Sequence, residues 1–395
     1  MELNDIAIYA KDRVEVKNLT VDNYISTENM LPEKGGVLIS SALPSVATTS
    51  GYSKGDVLIS NIRPYFRKIW FADKDGGCSN DVLILRAKDN CNPIFLYYLL
   101  SENRFFDYTT ANAKGTKMPR GDKSAIMQYT VPHFSLVEQM QIADVLSSLD
   151  SKIALNRRIN DNLEQQAQAL YKSWFVDFEP FKDGKFVDSE LGRIPEGWRV
   201  GKLSDVGKII GGSTPSKSHP EYYTSEGIAW LTPKDLSITH AKFTSRGEVD
   251  ITEKGYDSCS TKLLPKGSVL FSSRAPIGYL SIASNKICTN QGFKSIVPHA
   301  EIGTPFIYYY LKTNTVEIES KASGSTFKEA SGTLMNSLPV VIPELKTLCN
   351  FNEILNPLFE IQEKNEAKNR KLSQLRDSIL PKLMSGELKI SDLNS

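Results

Sequence analysis

Two stretches in the first third of the chain concentrate cationic, amide and aromatic side chains. The segment 61–68 reads Asn-Ile-Arg-Pro-Tyr-Phe-Arg-Lys, and the segment 114–123 carries four cations and two glycines. Arg, Lys, Asn, Ser and Thr read base edges, and further cations bind phosphates. If the ligand is DNA, the candidate contact residues are Asn61, Arg63, Tyr65, Arg67, Lys68, Lys114, Thr116, Lys117, Arg120 and Lys123.

Later in the chain, two segments repeat this chemistry. Ser273-Arg274 follows a β-type run as Arg63 does, and the segment 324–328 reads Gly-Ser-Thr-Phe-Lys. We expect Arg274, Ser325, Thr326 and Lys328 to contact DNA as well. For each position the alternative is a solvated loop charge or a side chain that stabilises a turn. Tyrosines at 97, 98 and 308–310 resemble a base-stacking platform, but their helical context favours the edge of a core.

Sites for catalysis or metal binding are not predicted. The five cysteines and four histidines, His240 among them, are scattered without C-x-x-C or H-x-x-x-H spacing. Asn92-Pro93 and Asn356-Pro357 lack the second proline of an adenine-methyltransferase loop, and a helix start explains Asn92-Pro93 better. No G-x-G-x-x-G, Walker loop or Pro-Asp pair occurs. We therefore expect no catalytic residue, cofactor or metal.

The elements that must position these side chains form an internal repeat. Leu3-Asn4-Asp5-Ile6 returns as Leu203-Ser204-Asp205-Val206, and a Lys-Gly-x-Val-Leu-x-Ser run occurs at 54–60 and 266–272. Phe-x-Tyr-Tyr occurs at 95–98 and 306–309, and the offset stays between about 200 and 212 residues. Each copy mixes short β-type runs, such as 57–60 and 82–85, with helical segments such as 93–101. The repeat predicts two similar α+β domains.

Each copy ends in a long helical segment. From Glu138 to about Phe175 there is no Pro or Gly, and apolar residues recur at heptad spacing. The second copy is a poorer heptad, and its Pro357 predicts a helix that is kinked there or begins nearby. The predicted coiled-coil and partner-contact residues are Leu149, Ile153, Asn156, Asn160, Leu163, Leu170, Trp174, Phe175, Leu358, Asn365, Asn369, Leu372, Ile379 and Leu383.

Asparagines occupy matching seam positions in both helices, at an offset of 209 residues. If the helices run antiparallel, Asn156 lies opposite Asn369 and Asn160 lies opposite Asn365. Polar seam residues lower stability but fix register and orientation. The alternative is that these asparagines face solvent.

Composition is that of an ordinary globular protein, with 40% hydrophobic and 24% charged residues and a net charge of +1. Any attraction to phosphates must therefore come from local patches or from partner subunits. The sequence shows no apolar run long enough for a membrane span, and the acids among its first residues lead us to expect no signal peptide. We expect a cytoplasmic protein with no membrane partner.

Several motifs resemble type I restriction–modification specificity subunits, and the likeness covers essentially the whole chain. Tyr-Lys-Ser-Trp-Phe-Val-Asp-Phe (171–178) is similar to the family's central conserved region, and Leu-Pro-Lys-Leu-Met-Ser-Gly-Glu-Leu (380–388) is similar to the end of its C-terminal one. Ile-Pro-Glu-Gly-Trp (194–198) resembles the start of a target-recognition domain, although the first half lacks it. Thr-Pro-Lys-Asp (232–235) and Thr-Asn-Gln-Gly-Phe (289–293) add Thr232, Lys234, Asp235, Asn290 and Gln291 to the expected DNA contacts.

The resemblance implies a non-catalytic, sequence-specific DNA-binding subunit. Each recognition domain is expected to read one half of a bipartite site in double-stranded DNA. The helices are expected to act as a spacer that docks two modification (methyltransferase) subunits, and restriction (motor-nuclease) subunits join that complex. The alternative is a non-enzymatic two-headed scaffold that binds proteins alone.

The predicted fold is α+β, with two similar mixed domains joined by two long helices in an antiparallel coiled coil. Its expected segments are recognition domain 1 (1–135), the central conserved helix (136–180), recognition domain 2 (181–345) and the C-terminal conserved helix (346–388).

Overall fold

A computed structural model describes residues 1–239, 241–324 and 328–393 of the chain. The chain divides into two compact units. The first unit contains Met1–Ala154 and Arg370–Ser395, and the second contains Leu155–Asn369. Each unit thus takes its globular part from one sequence repeat and a piece of each long helix.

The described residues of the first unit form two mainly antiparallel sheets and four short helices, besides parts of the two long helices. One sheet has the strand order β1-β8-β5-β6, and the other has the order β2-β4-β7-β3. The strands are β1 (Ala7–Tyr9), β2 (Arg13–Glu15), β3 (Tyr24–Ile25), β4 (Thr48–Tyr52), β5 (Val57–Ser60), β6 (Ile69–Phe71), β7 (Gly76–Cys78) and β8 (Val82–Ala87). The helices are α1 (Leu3–Ile6), α2 (Pro93–Leu100), α3 (Asn103–Ala111) and α4 (Lys123–Met127).

The central strand β5 is apolar on both faces because both faces are covered. Val57 and Ile59 pack into the main core with α2 and α3, whereas Leu58 points to a smaller core shared with β7. Successive side chains of a strand face opposite sides, so a continuous apolar run suits a strand buried on both faces. The predicted β-type runs at 57–60 and 82–85 are confirmed.

The second unit repeats this plan. Its main sheet has the order β12-β20-β17-β18-β15, whose first four strands correspond in order to β1-β8-β5-β6. The strands are β9 (Phe186–Ser189), β10 (Gly192–Pro195), β11 (Arg199–Lys202), β12 (Gly207–Gly211), β13 (Tyr223–Thr224), β14 (Trp230–Leu231), β15 (Phe243–Thr244), β16 (Asp250–Ile251), β17 (Val269–Ser273), β18 (Ile277–Ala283), β19 (Cys288–Thr289), β20 (Lys294–Pro298) and β21 (Pro339–Ile342). The helices are α6 (Pro233–Thr239), α7 (Glu253–Asp257), α8 (Thr304–Lys321) and α9 (Gly332–Ser337).

Burial in the second unit follows the same alternation. Val269 and Phe271 of β17 face the main core, and Leu270 faces a smaller one, as Val57, Ile59 and Leu58 do in β5. The duplicated sequence therefore produces a duplicated sheet.

The helix predicted after residue 92 begins as expected. The Asn92 side chain accepts hydrogen bonds from the backbone N–H groups of Ile94 and Phe95, and Pro93 occupies the first turn. Tyr98 of α2 and Tyr308, Tyr309 and Tyr310 of α8 are buried, so these rings belong to the core as expected.

Two long helices complete the chain, and each passes from one unit into the other. Helix α5 spans Leu136–Phe175, and helix α10 spans Leu345–Ser385. Ser135 and Glu138 form a reciprocal cap at the start of α5. Helix α10 continues through Pro357, which lies on its exposed side. The prediction that the helix begins near Pro357 is therefore wrong. The helix tolerates this proline because the ring removes a single backbone hydrogen-bond donor, on a face that water can reach.

The paired asparagines meet as the antiparallel arrangement requires. Within the second unit, the Asn156 amide donates to Asn369 Oδ1 over 2.8 Å, and the Asn365 amide donates to Asn160 Oδ1 over 2.9 Å. Asn156 is only 2% exposed. The alternative of solvent-facing asparagines is wrong. The other predicted seam residues are buried or half-buried, and Ala143 and Tyr171 widen the buried face of α5.

Candidate nucleic-acid interface

In the first unit, the two cation-rich segments form one loop cluster. The Arg63 N–H donates to the Pro119 carbonyl over 2.8 Å, and the Gly121 N–H donates to the Asn61 carbonyl over 3.1 Å. Lys114 and Arg120 close the second loop through two reciprocal backbone hydrogen bonds. Segments about fifty residues apart in sequence are thus held side by side, with Thr116 and Lys117 exposed at the tip.

The turn that carries Arg63 has an unusual backbone. Arg63 and Arg67 flank a 3₁₀ turn over Pro64–Phe66, and both adopt left-handed conformations, with φ of 50° and 52°. Such a conformation costs a residue with a Cβ roughly 1–2 kcal/mol. The turn is compact, so it presents Tyr65 and Phe66 at the surface, where their ring centroids lie 4.8 Å apart.

Several cations of this cluster already have protein partners. These are Arg67 with Glu33 and Asp107, Lys114 with Asp122, Arg120 with Asp81, and Lys68, whose ammonium donates to the Thr27 carbonyl. Burial lowers the pKa of Lys68. Within the described part of the chain, Arg63, Lys117 and Lys123 form no ion pair. The buried Oδ1 of Asn61 and Nε of Arg63 have no hydrogen-bond partner among the residues that the structure describes.

In the second unit, backbone hydrogen bonds gather the expected contact loops. Ser273 donates to the Gly292 carbonyl from its N–H and its hydroxyl, and the Ala330 N–H donates to the Ser273 carbonyl. The Ser213 N–H donates to the Thr289 carbonyl. These bonds hold the loops of Arg274, Asn290, Gln291 and Lys328 around one edge. Arg274 lies 3.7 Å from Glu329, while Lys328 is exposed and forms no ion pair among the described residues. Ser325 and Thr326 lie outside the described residues.

The Thr-Pro-Lys-Asp segment caps helix α6. Asp235 is 9% exposed and accepts hydrogen bonds from the Thr232 N–H and hydroxyl, and from the Glu248 N–H. Lys234 pairs with Glu248 at 2.8 Å. Asp235 is therefore committed to positioning this loop.

A cavity of about 500 Å³ lies beside these loops. It is lined by Thr214, Lys217, Tyr223, Trp230, Thr232, Val249, Asn290 and Gln291. Sequence reasoning missed the apolar wall of Tyr223, Trp230 and Val249. An available signal was Trp230, which comes two residues before the Thr-Pro pair on a short strand.

Each unit also joins its globular part to the helices through a half-buried carboxylate. In the second unit, Glu164 of α5 accepts hydrogen bonds from Lys242 (2.6 Å), Lys312 (2.5 Å) and the Tyr309 hydroxyl (2.9 Å). Burial alone raises the pKa of Glu164, but the two ammonium groups outweigh it and lower the pKa to about 2. Burial lowers the pKa of Lys242 to about 8, although Glu164 opposes this.

The first unit has a simpler version of this contact. Asp150 of α5 accepts hydrogen bonds from the Tyr98 hydroxyl over 2.6 Å and from Arg376 of α10 over 2.5 Å. Tyr98 and Tyr309 occupy equivalent positions in the repeat, and the hydroxyl of each donates a hydrogen bond to a carboxylate of α5. The sequence did not predict this contact for either acid: Asp150 stood out only for its acid–x–lysine spacing, which its place on the long helix argued against as a nuclease motif.

The described residues contain no group of three or more His, Cys, Asp or Glu side chains placed to hold a metal ion. None of their helices is long and apolar enough to cross a membrane.

The family model for the type I restriction modification DNA specificity domain matches the chain twice, over residues 8–165 and 195–376. The chain belongs to the type I restriction–modification specificity family. The resemblance seen in the sequence is confirmed, and so is the predicted fold of two mixed domains with a helical coiled coil. The two matched segments also coincide with the two sequence repeats.

Curated members of the specificity family align with the chain over different lengths. The HindI specificity subunit of Haemophilus influenzae is 28% identical over 85% of this chain and 87% of its own. The MjaIX specificity subunit of Methanocaldococcus jannaschii is 37% identical over 48% of this chain and 44% of its own. The S subunit from M. genitalium has a similar fold, with a TM-score of 0.60, 17% identity, and coverage of 97% and 95% of the two chains.

Membership of the specificity family decides between the alternatives left open by the sequence. The family model that matches both halves of the chain describes a DNA specificity domain, so the chain is a non-catalytic DNA-recognition subunit of this family. The two-headed protein scaffold is not supported.

Proposed function

We propose that each unit reads one half of a split DNA site and that the long helices set the distance between the halves. The observation that supports this proposal is that both the main sheet and the loop cluster beside it occur twice in the chain. Two sheets with the same strand order each hold separated cationic and amide segments in one loop cluster. The loops differ in sequence, so the two units would recognise different bases.

The proposed DNA contacts include residues that read bases and residues that bind phosphates. Arg63 is the strongest candidate for base reading in the first unit, because its turn is rigid and it forms no ion pair among the described residues. Lys117 and Lys123 would bind phosphates. Arg67 and Arg120 would do so by exchanging a surface carboxylate for a phosphate, which costs little because exposed ion pairs contribute roughly 0–1 kcal/mol.

In the second unit, Arg274, Asn290, Gln291 and Lys328 would contact DNA. Thr232 and Asp235 would act by positioning the loop, because their polar atoms are engaged with each other and with the Glu248 backbone.

The outer faces of the helices would dock the partner subunits. Leu155 and Ile159 of α5 and Ile354 and Ile361 of α10 are exposed although apolar, and all four lie in the second unit. Exposed apolar residues that recur along a helix are typical of protein contacts. We infer two modification subunits on these helices, joined in turn by restriction subunits.

The docking surface can be tested by one substitution. Ile361→Asp should abolish co-purification of the modification subunits, because it places a charge in an apolar contact. Ile8→Asp is the matched control, since Ile8 is 46% exposed against 44% for Ile361 but lies on strand β1. Equal retention of the modification subunits by both variants would contradict the docking surface.

A domain exchange tests the independent reading of half-sites. Residues 1–135 would be replaced by the matching segment of a relative, and the methylated motif would be determined by methylome sequencing of a strain carrying the complete system. We expect one half of the motif to change and the other to stay. A change in both halves would contradict the proposal.

The absence of methyl transfer is tested with the purified chain. Incubated with S-adenosylmethionine and cognate DNA, the chain should transfer no methyl group until the modification subunits are added. Activity of the chain by itself would refute a purely recognising role.

A further inference from the structure

The cavity beside the second unit's contact loops has an apolar wall that is fixed in place. The Trp230 indole N–H donates to the Ser213 carbonyl over 3.1 Å, and the Tyr223 hydroxyl donates to the Pro215 carbonyl over 2.6 Å. Their rings make an edge contact at 6.0 Å. Because the polar atoms of both rings are satisfied by the loop 213–215, what the rings offer a ligand is apolar surface. Val249, which is 40% exposed, extends it.

The polar side of the cavity offers hydrogen-bond donors. Asn290 Oδ1 accepts from the Gly292 N–H over 2.8 Å. A backbone donor can only meet the oxygen, so this bond orients the amide and leaves its NH2 group available. Gln291 Oε1 accepts from the Thr214 hydroxyl, and Lys217 forms no ion pair among the described residues. The cavity therefore places N–H donors next to an apolar wall.

The four bases present different patterns in the major groove. Thymine shows an acceptor, O4, beside the C5-methyl group. Guanine shows two acceptors and no methyl group, so the apolar wall would remain unfilled. Cytosine and adenine present exocyclic amino groups, which would face the donors of the cavity. Only thymine matches both sides.

We propose that this cavity reads a thymine in the half-site of the second unit. Its methyl group packs on Val249 and the aromatic wall, and its O4 accepts from the Asn290 amide. This assignment rests on the proposed function, since it names the base that one of the two reading sites takes.

Uracil substitution tests the apolar contact. The full chain, assembled with its modification subunits, would be titrated with duplexes in which each thymine of the second half-site is replaced in turn by uracil. At one position, loss of the methyl group should lower affinity about fourfold. Val249→Ala should bring that ratio towards one, whereas Val316→Ala, a matched control on the exposed side of α8, should leave it unchanged.

Exchange of the donor tests the polar contact. Asn290→Asp keeps the acceptor for the Gly292 N–H and replaces the NH2 group by an oxygen. The preference at the same position should then shift from thymine towards cytosine, whose amino group donates. A general loss of affinity by charge repulsion would not produce this shift.

Three results would overturn the assignment while the specific binding itself stands. They are a second half-site without thymine on either strand, insensitivity to uracil at every thymine, and a thymine preference unchanged by Asn290→Asp. Failure of the complex to prefer any sequence would instead refute the proposed function, so the two failures are distinguishable.

Discussion

Replacing the half-buried carboxylate of the second unit by its amide, Glu164→Gln, should destabilise that unit by about 3 kcal/mol. The pKa of Glu164 is about 2, against 4.5 for an unperturbed glutamate. At roughly 1.4 kcal/mol per pKa unit, the native state favours the ionised carboxylate by about 3 kcal/mol. Removing one member of a buried ion pair costs roughly 3–5 kcal/mol, which agrees with this value.

The remaining lysine explains why the loss is large. The Lys242 side chain is 9% exposed, and its ammonium lies 3.6 Å from the centroid of the Phe359 ring. With Glu164 neutral, nothing of comparable strength opposes the burial that already lowers the pKa of Lys242 to about 8. The protonated lysine is then disfavoured in the native state. Lys242→Met should cost less than Glu164→Gln, because Glu164 keeps Lys312 as a partner.

Urea denaturation of the full chain, followed by tryptophan fluorescence, measures the effect. Trp174, Trp198 and Trp230 all lie in the second unit, so the signal reports mainly on it. The control is Glu360→Gln on α10, which weakens an exposed pair with Lys364 at 3.5 Å and should change stability by at most about 0.5 kcal/mol.

The pH dependence supplies a second test. Because the folded-state pKa of Glu164 lies below its unfolded value, its contribution is present above about pH 4.5 and is lost as pH falls towards about 2. The difference in the free energy of unfolding between the native chain and Glu164→Gln should therefore disappear as pH falls over that range. A difference that persists at low pH would refute this account of the contact. So would a loss of stability in Glu164→Gln that is no larger than the loss in Glu360→Gln.

The other predictions concern the seam, the spacer and the first reading site. Replacing Asn156 and Asn369 together by leucine should raise the free energy of unfolding by about 1–2 kcal/mol but allow the helices to slip, measured by urea denaturation and by cross-linking of engineered cysteine pairs; lower stability would contradict this. Adding one heptad to both helices in register lengthens them by roughly 10 Å, which corresponds to about three more unread base pairs in the methylated motif. A motif that keeps its old spacer would show that the helices do not set the distance. Arg63→Ala should weaken cognate binding by about 1–3 kcal/mol and relax specificity at one base pair, whereas Lys117→Ala should weaken all sequences alike and reduce the salt dependence. Unchanged affinity of both at several salt concentrations would remove this site assignment.

The periodic and repeated parts of the fold could be predicted from the sequence. Given an antiparallel orientation of the helices, the heptads of α5 and the 209-residue offset of the asparagines placed Asn156 against Asn369, because side chains of antiparallel helices meet at positions fixed by helix geometry. The duplicated sheet followed from repeated runs such as 54–60 and 266–272, whose apolar residues have the same burial in both units.

The contacts between distant segments could not be predicted in the same way. Nothing in the sequence pairs Arg63 with Pro119, because backbone hydrogen bonds between loops leave no periodic signal. The wall of Tyr223, Trp230 and Val249 is assembled from three separate segments. No sequence pattern distinguishes Glu164 from the other polar residues of α5. Only the fold shows that Lys242 and Lys312 contact it.

The half-buried carboxylates Asp150 and Glu164 make the two halves of the gene unequal in what each half encodes. Tyr98 and Asp150 both come from the first half, which therefore brings its own anchor for its globular part. Tyr309 takes its carboxylate from Glu164 of the first half, because the position on α10 that matches Asp150 is Phe359. A gene shortened to its first half would encode a piece that keeps Tyr98 and Asp150 together but loses Arg376. A gene reduced to its second half would encode a piece whose lysines lack their acid.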